Sequence, residues 1–152
     1  MNTTITDELT GKIIGCAMKV HTTLGFGFVE SVFENSLAHE LRKAGFSVQQ
    51  QTPIQVYYDG IVVGDFKADI VVNGELILEL MAVEKAHAIH EVQLVNCLNG
   101  EGKETGLLLN FGARSLEFKR KYRRPKGNTA KRGFSGLVGL FAVLAGKLLG
   151  QF

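Results

Sequence analysis

The chain has 152 residues, 45% of them hydrophobic, and a mean hydropathy of +0.11, which fits one globular domain of ordinary size with a single core. Cys16 and Cys97 lie far apart and have no CxxC partner, which argues against a disulfide framework or a zinc site and makes a reducing cytoplasm the expected setting; the opening MNTTITDELTGK has no basic-then-apolar secretory signal. The formal charge of +2 is unevenly spread, since all 15 acidic residues fall within 1–117 and nine of the 17 Lys and Arg residues within 118–152.

Residues 6–22 place Leu9, Ile13, Ala17 and Val20 at helical spacing behind Thr6 as N-cap, with Asp7 and Glu8 in the first turn. The glycine-rich TLGFGF (23–28) ends this helix, and a second is predicted over roughly 29–44, with Val29, Val32, Phe33, Leu37 and Leu41 inward and Gly45 as its left-handed stop. FSVQQQ (46–51), IQVYYDG (54–60), IVVGDFKADIVVNG (61–74) and ELILEL (75–80) are four β-type runs, punctuated by Pro53 and by the hairpin dipeptides Asp59-Gly60 and Asn73-Gly74.

A third helix is predicted over 86–100. TGLLLNFG (105–112) is apolar on both faces and so predicts a central strand, with SLEFKRKY (115–122) closing the sheet. The order αα-ββββ-α-ββ implies an α/β (α+β) mixed sheet with helices packed on it. Residues 125–133 are predicted to be a basic linker, and 134–152 an apolar C-terminal tail. The uninterrupted apolar stretch from Phe134 to Gly146 is 13 residues, short of the roughly 20 needed to cross a bilayer, so an interfacial or packed helix is the expectation there.

Within a strand side chains alternate faces, so Lys67 is expected beside Asp69, and Glu79 beside Met81. An Asn-Gly hairpin between the two runs can bring Asp69 and Glu79 together. Two adjacent carboxylates need a cation, and oxygen-only ligation suits Mg²⁺ or Mn²⁺. On periodicity alone the same two acids also read as terminal strand charges, Glu30 as a helix N-terminal charge, and Gln93 as a helix surface amide.

Several motifs in order carry a resemblance. GFVESVFENSLAHEL (27–41) has Gly27, Glu30 and Phe33 in a G-x-x-E-x-x-aromatic pattern, followed by FKADIVVNGELILELMAVE (66–84), IHEVQLVNCL (89–98) and GLLLNFG (106–112). Over about residues 3–124 the chain resembles the GxxExxY proteins of the PD-(D/E)XK nuclease superfamily. The resemblance implies a restriction-endonuclease-like αβββαβ core with flanking helices. It also implies a metal site of Glu30, Asp69, Glu79 and the Leu80 carbonyl, and a catalytic set of Asp69, Glu79 and Gln93 with Met81 at the motif lysine position.

Two positions depart from that pattern. Glu79-Leu80-Met81 stands where the family has Glu-Leu-Lys, and Cys97 stands where an aromatic usually follows the helix glutamine. Methionine has nearly the shape of the lysine stem but neither its charge nor its protons. Lys67 and Lys85 are the nearest substitutes. A metal-dependent nuclease fold that acts on or binds nucleic acid, impaired by Met81, is therefore the expectation. The alternatives are a noncatalytic binding module and a membrane-peripheral protein attached through 134–152. Nucleic-acid contacts are expected from Lys119, Arg120, Lys121, Arg123, Arg124 and Lys126, within a block of eight cations over 118–132.

Overall fold

A computed structural model describes residues 3–123, with side chains from residue 6 onward. The expected linker at 125–133 and tail at 134–152 lie outside the described residues, as do Arg124 and Lys126. The elements are α1 (Thr3–Leu24), α2 (Glu30–Lys43), β1 (Val48–Tyr58), β2 (Ile61–Val72), β3 (Leu76–Met81), α3 (Ala88–Glu101), β4 (Thr105–Asn110) and β5 (Glu117–Tyr122). The five strands form one sheet in the order β1-β2-β3-β4-β5. Only β3 and β4 are parallel, and α3 is the crossover between them. From α2 to β4 the chain follows the expected αβββαβ order.

Local chemistry sets several of these boundaries. Asp59-Gly60 and Asn73-Gly74 both take positive φ, at 50°, 76°, 53° and 65°, as tight hairpin turns demand. Gly45, with φ 91°, ends α2, and the Phe46 amide donates back to the Leu41 carbonyl. β4 is buried along its whole length, as its two-sided apolar pattern requires.

Three expectations are corrected. The runs 46–51 and 54–60 are not two strands but one, β1, which passes through Pro53. Pro53 is tolerated because β1 is an edge strand, where a missing N–H leaves the inner ladder intact. Thr6 is not an N-cap, because α1 already runs from Thr3. Val29 is the N-cap residue of α2 and is 67% exposed rather than inward.

The sheet separates two apolar layers. Ile13, Ala17, Phe33, Leu37 and Leu41 of α1 and α2 pack on Ile70, Val72, Leu76, Leu78, Leu107 and Leu109. On the other face, Leu94 and Leu98 of α3 pack on Ile54, Ala68, Val71, Ile77, Met81 and Leu108. β2 pairs with β3 only from Ile70 to Val72, whereas its ladder with β1 continues to the tip at Tyr58 and Ile61. The β1–β2 hairpin therefore extends past β3 as a two-stranded arm, with Tyr57, Tyr58, Ile61, Val62 and Val63 exposed at its end.

At the root of this arm the inward face changes parity. Ala68 lies in the α3 layer, yet Ile70 and Val72, of the same parity, lie in the α1/α2 layer. The change falls at Asp69 and at Gln51, which is left-handed, with φ 52°. Strict alternation thus does not run from Ala68 through to Ile70.

Candidate functional site: two buried carboxylates where β2 leaves β3

Asp69 is the first residue of β2 past the β2–β3 ladder, one step beyond the Ile70–Leu78 pair, and Glu79 holds the facing position on β3. Both are buried, at 7% and 4% exposure. Buried acids require hydrogen-bond partners, and these have them. Asp69 Oδ2 accepts from the Leu80 amide at 2.8 Å, an N–H left without a β2 carbonyl by the parting strands. Asp69 Oδ1 accepts from Gln51 Nε2 at 3.4 Å.

Glu79 is held from α3. On α3, Gln93 Nε2 donates to Glu79 Oε2 at 3.4 Å, and the Cys97 thiol lies 3.7 Å from Glu79 Oε1. Gln93 and Cys97 are four residues apart, one above the other on the helix face. They stand on the same carboxylate, one at each oxygen.

Sequence reasoning missed Gln51 and Glu34. Gln51 Nε2 donates also to Glu34 Oε2 at 2.8 Å, and Gln50 Nε2 donates to Glu34 Oε1 at 3.1 Å. Glu34 thereby ties α2 to Asp69 through the left-handed Gln51. The available signal was the spacing of Glu34 four residues after Glu30, the first residue of α2, which puts both on one helix face. Among the described residues no group of three or more His, Cys, Asp or Glu side chains is arranged to hold a metal ion.

Met81 is 4% exposed on the α3 side and lines a cavity of ≈ 460 Å³ with Lys85, Ala86, Leu108, Asn110, Glu117, Phe118 and Lys119. Of the two candidate substitute lysines, Lys85 thus shares a cavity with Met81, whereas Lys67 sits exposed on the arm. Asn110 fixes the loop that carries Lys85. Its Oδ1 accepts from the Val83 amide at 3.1 Å and the Gly112 amide at 3.0 Å, and its Nδ2 donates to Glu117 at 2.9 Å. Gly112 permits this close approach, since a Cβ there would lie 2.3 Å from the Val83 nitrogen.

The described cations of β5 and its end are engaged with the body of the protein. Lys119 and Lys121 pair with Glu91, Arg120 with Asp7, and Arg123 with Glu104. Glu91 is held below the usual carboxylate range by its hydrogen bonds to Lys119 and Lys121. His87 and His90, the other titratable pair near this end of α3, cap that helix.

The model of the PD-(D/E)XK nuclease superfamily matches residues 7–124, which spans every element that builds this site. The chain belongs to the PD-(D/E)XK nuclease superfamily. The five-stranded mixed sheet and three helices of the described residues are consistent with the restriction-endonuclease-like fold of that superfamily. Among solved structures, the chain is similar to one described as "Crystal structure of SSO0001", with a TM-score of 0.51 and 13% identity. The match covers 80% of this chain and 58% of that one, so this superfamily member spans little more than half of that relative's length. At this identity the likeness concerns the fold. No curated protein matches the sequence.

Proposed function

We propose that this protein is a divalent-metal-dependent nuclease-fold protein of the GxxExxY group that acts on or binds nucleic acid, with turnover impaired by Met81. The observation that carries the reading is the burial of Asp69 and Glu79 at facing positions where β2 and β3 part. Two buried carboxylates on adjacent strands form a hard-oxygen donor set, and few protein ligands suit an ion that keeps several waters. Asp69, Glu79 and the Leu80 carbonyl would hold Mg²⁺ or Mn²⁺, with Glu30 as a further acidic ligand by family analogy. When bound, the ion supplies Lewis-acid polarisation of a phosphate oxygen and makes a coordinated water more acidic.

The chain's own residues then do the positioning. The Leu80 amide and Gln51 fix Asp69 from two directions, and Gln93 orients Glu79 from α3. Met81 fills the space of the missing lysine stem but supplies no positive charge for the transition state. That loss is also what favours a second reading, a noncatalytic nucleic-acid-binding module of the same fold.

Residues 1–124 form the nuclease-like domain in this proposal, followed by a basic linker and an apolar tail. A membrane-peripheral role would rest on 134–152; no described helix is long and apolar enough to cross a membrane. Both cysteines are free thiols, in keeping with a cytoplasmic setting. The deciding experiment is phosphodiester cleavage in Mg²⁺ or Mn²⁺ by this chain and by Met81→Lys. Slow cleavage that the lysine accelerates, and that Asp69→Asn abolishes, is the expected result. Nucleic-acid binding with no cleavage by either form would establish the noncatalytic reading instead.

A further inference from the structure

The cavity beside Met81 has a floor made of two cross-strand rows. Register aligns Glu79 with Leu108 and Leu108 with Lys119; one step on, it aligns Met81 with Asn110 and Asn110 with Glu117. The cavity therefore adjoins the Glu79 position directly. Its floor, Met81 and Leu108, is apolar and otherwise sealed, at 4% and 2% exposure. Two ammonium groups, Lys85 and Lys119, stand among its lining residues with one carboxylate, Glu117.

We propose that this cavity binds one unpaired nucleotide of a nucleic-acid strand, its base against Met81 and Leu108 and its phosphate between Lys85 and Lys119. The inference rests on the nuclease-fold reading for the strand itself, because it seats the nucleotide next to the phosphate that Asp69 and Glu79 would address.

Size, charge and hydrogen bonding support this ligand. A volume of ≈ 460 Å³ lies within the range of small-molecule pockets. Lys85 makes no ion pair among the described residues. Lys119 can turn to a phosphate at little cost, because its partner Glu91 also holds Lys121 and so keeps a cation. Glu117 accepts from Asn110 through Oε2, and its other oxygen can accept from an exocyclic amino group of adenine, guanine or cytosine. Thymine offers none. A base stacked in a duplex cannot enter such a site without leaving its partner, so the substrate class is a single-stranded or frayed end. Met81 acquires a positive role in this arrangement, since a lysine there would put an ammonium on the floor that receives the base.

The test titrates the full chain, without metal, with deoxyadenosine monophosphate, thymidine monophosphate, deoxyadenosine and inorganic phosphate, followed by calorimetry or amide chemical shifts. Deoxyadenosine monophosphate should bind more tightly than inorganic phosphate and than thymidine monophosphate. The Lys85→Ala/Lys119→Ala double variant should weaken deoxyadenosine monophosphate about tenfold or more, through loss of two charge-assisted contacts, and leave deoxyadenosine unchanged. Met81→Lys should weaken deoxyadenosine, and Lys12→Ala, on α1, should change neither. Equal affinity of deoxyadenosine monophosphate for wild type and the double variant, or binding no tighter than inorganic phosphate, overturns the proposal. A parallel Mn²⁺ titration separates the two readings. Mn²⁺-dependent cleavage of an oligonucleotide with no mononucleotide binding overturns the cavity proposal alone; lysine-dependent mononucleotide binding with no Mn²⁺ binding overturns the nuclease reading and leaves the nucleotide site standing.

Discussion

The Asp69 carboxylate accepts a hydrogen bond from the Leu80 backbone amide at 2.8 Å, so one candidate ligand is held by the strand that carries the other. Its first consequence is for stability. Asp69→Ala leaves a buried N–H unsatisfied and should cost about 1–3 kcal/mol. Asp69→Asn keeps an acceptor oxygen and should cost less. Urea unfolding of the two variants checks the order, and equal losses would show that the Leu80 contact contributes nothing.

Metal should stabilise the native state. A ligand bound only by the folded chain at a hundred times its dissociation constant adds about 2.7 kcal/mol. Mn²⁺ should therefore raise the melting temperature of the wild type and leave that of Asp69→Asn unmoved. An identical shift in both proteins would locate the ion elsewhere.

Met81→Lys trades stability for chemistry. Placing an ammonium in a site 4% exposed, beside Cys97 and Leu108, should lower stability by about 1–3 kcal/mol despite Glu79 two residues away on the same face. Cleavage should rise by about 10²–10³-fold, the scale of restoring one preorganised charge or donor to a reacting phosphate. Denaturation curves and initial rates on the same preparation measure the two effects. A variant as stable as the wild type would mean that the lysine escapes to solvent.

Acid should act on the Glu91 pairs. The folded carboxyl lies below its ordinary range because Lys119 and Lys121 favour its charged form. The stabilisation is then fully present above the unfolded value of about 4.3 and disappears as pH falls through the lower folded value. Lys119→Ala/Lys121→Ala should lower stability at neutral pH by a small amount, since exposed pairs are weak, and leave it unchanged at low pH, which flattens the acid side of the profile. Urea midpoints from neutral pH into the acid range decide it; parallel profiles would remove Glu91 from the account.

Nucleic-acid affinity should depend on residues 123–133 more than on β5. Arg120 already faces Asp7, and Glu91 holds Lys121 together with Lys119, so duplex phosphates on β5 must compete with carboxylates of the body. Chains truncated after Tyr122 and after Gly133 test this by their salt dependence, which is about 0.9 log units per log unit of salt for each duplex phosphate contact. The longer chain should bind with the steeper slope. Equal affinities would refute a role for the block, and binding to anionic vesicles that both truncations abolish would point to the apolar segment instead.

The parts legible in the sequence are those whose physics is local. Asn73-Gly74 and Asp59-Gly60 announce their hairpins because few other residues accept positive φ, but it is the three-residue connection 73–75 that sets Asp69 opposite Glu79, and the dipeptide alone does not reveal it. Gln51 shows the limit. Its left-handed conformation follows no local propensity and is held by Glu34, 17 residues earlier, and Asp69, 18 residues later. Pro53 reads as a strand end until the sheet order shows that β1 is an edge. Lys119, Arg120 and Arg123 read as part of a free basic block because their partners lie 28, 113 and 19 residues away in sequence.

The arm beyond Asp69 sets a boundary in the protein's breathing. From Gln55 to Asp65 the two strands bond only to each other, and a lone ribbon is marginally stable in water. Amide hydrogens there exchange through local opening, whereas those of β3 and β4 wait for rarer, larger events. Asp69 stands at the last rung before this softer segment. The Leu80 amide moors it to the slow-exchanging sheet, so the carboxylate can keep its place while the ribbon next to it opens and closes.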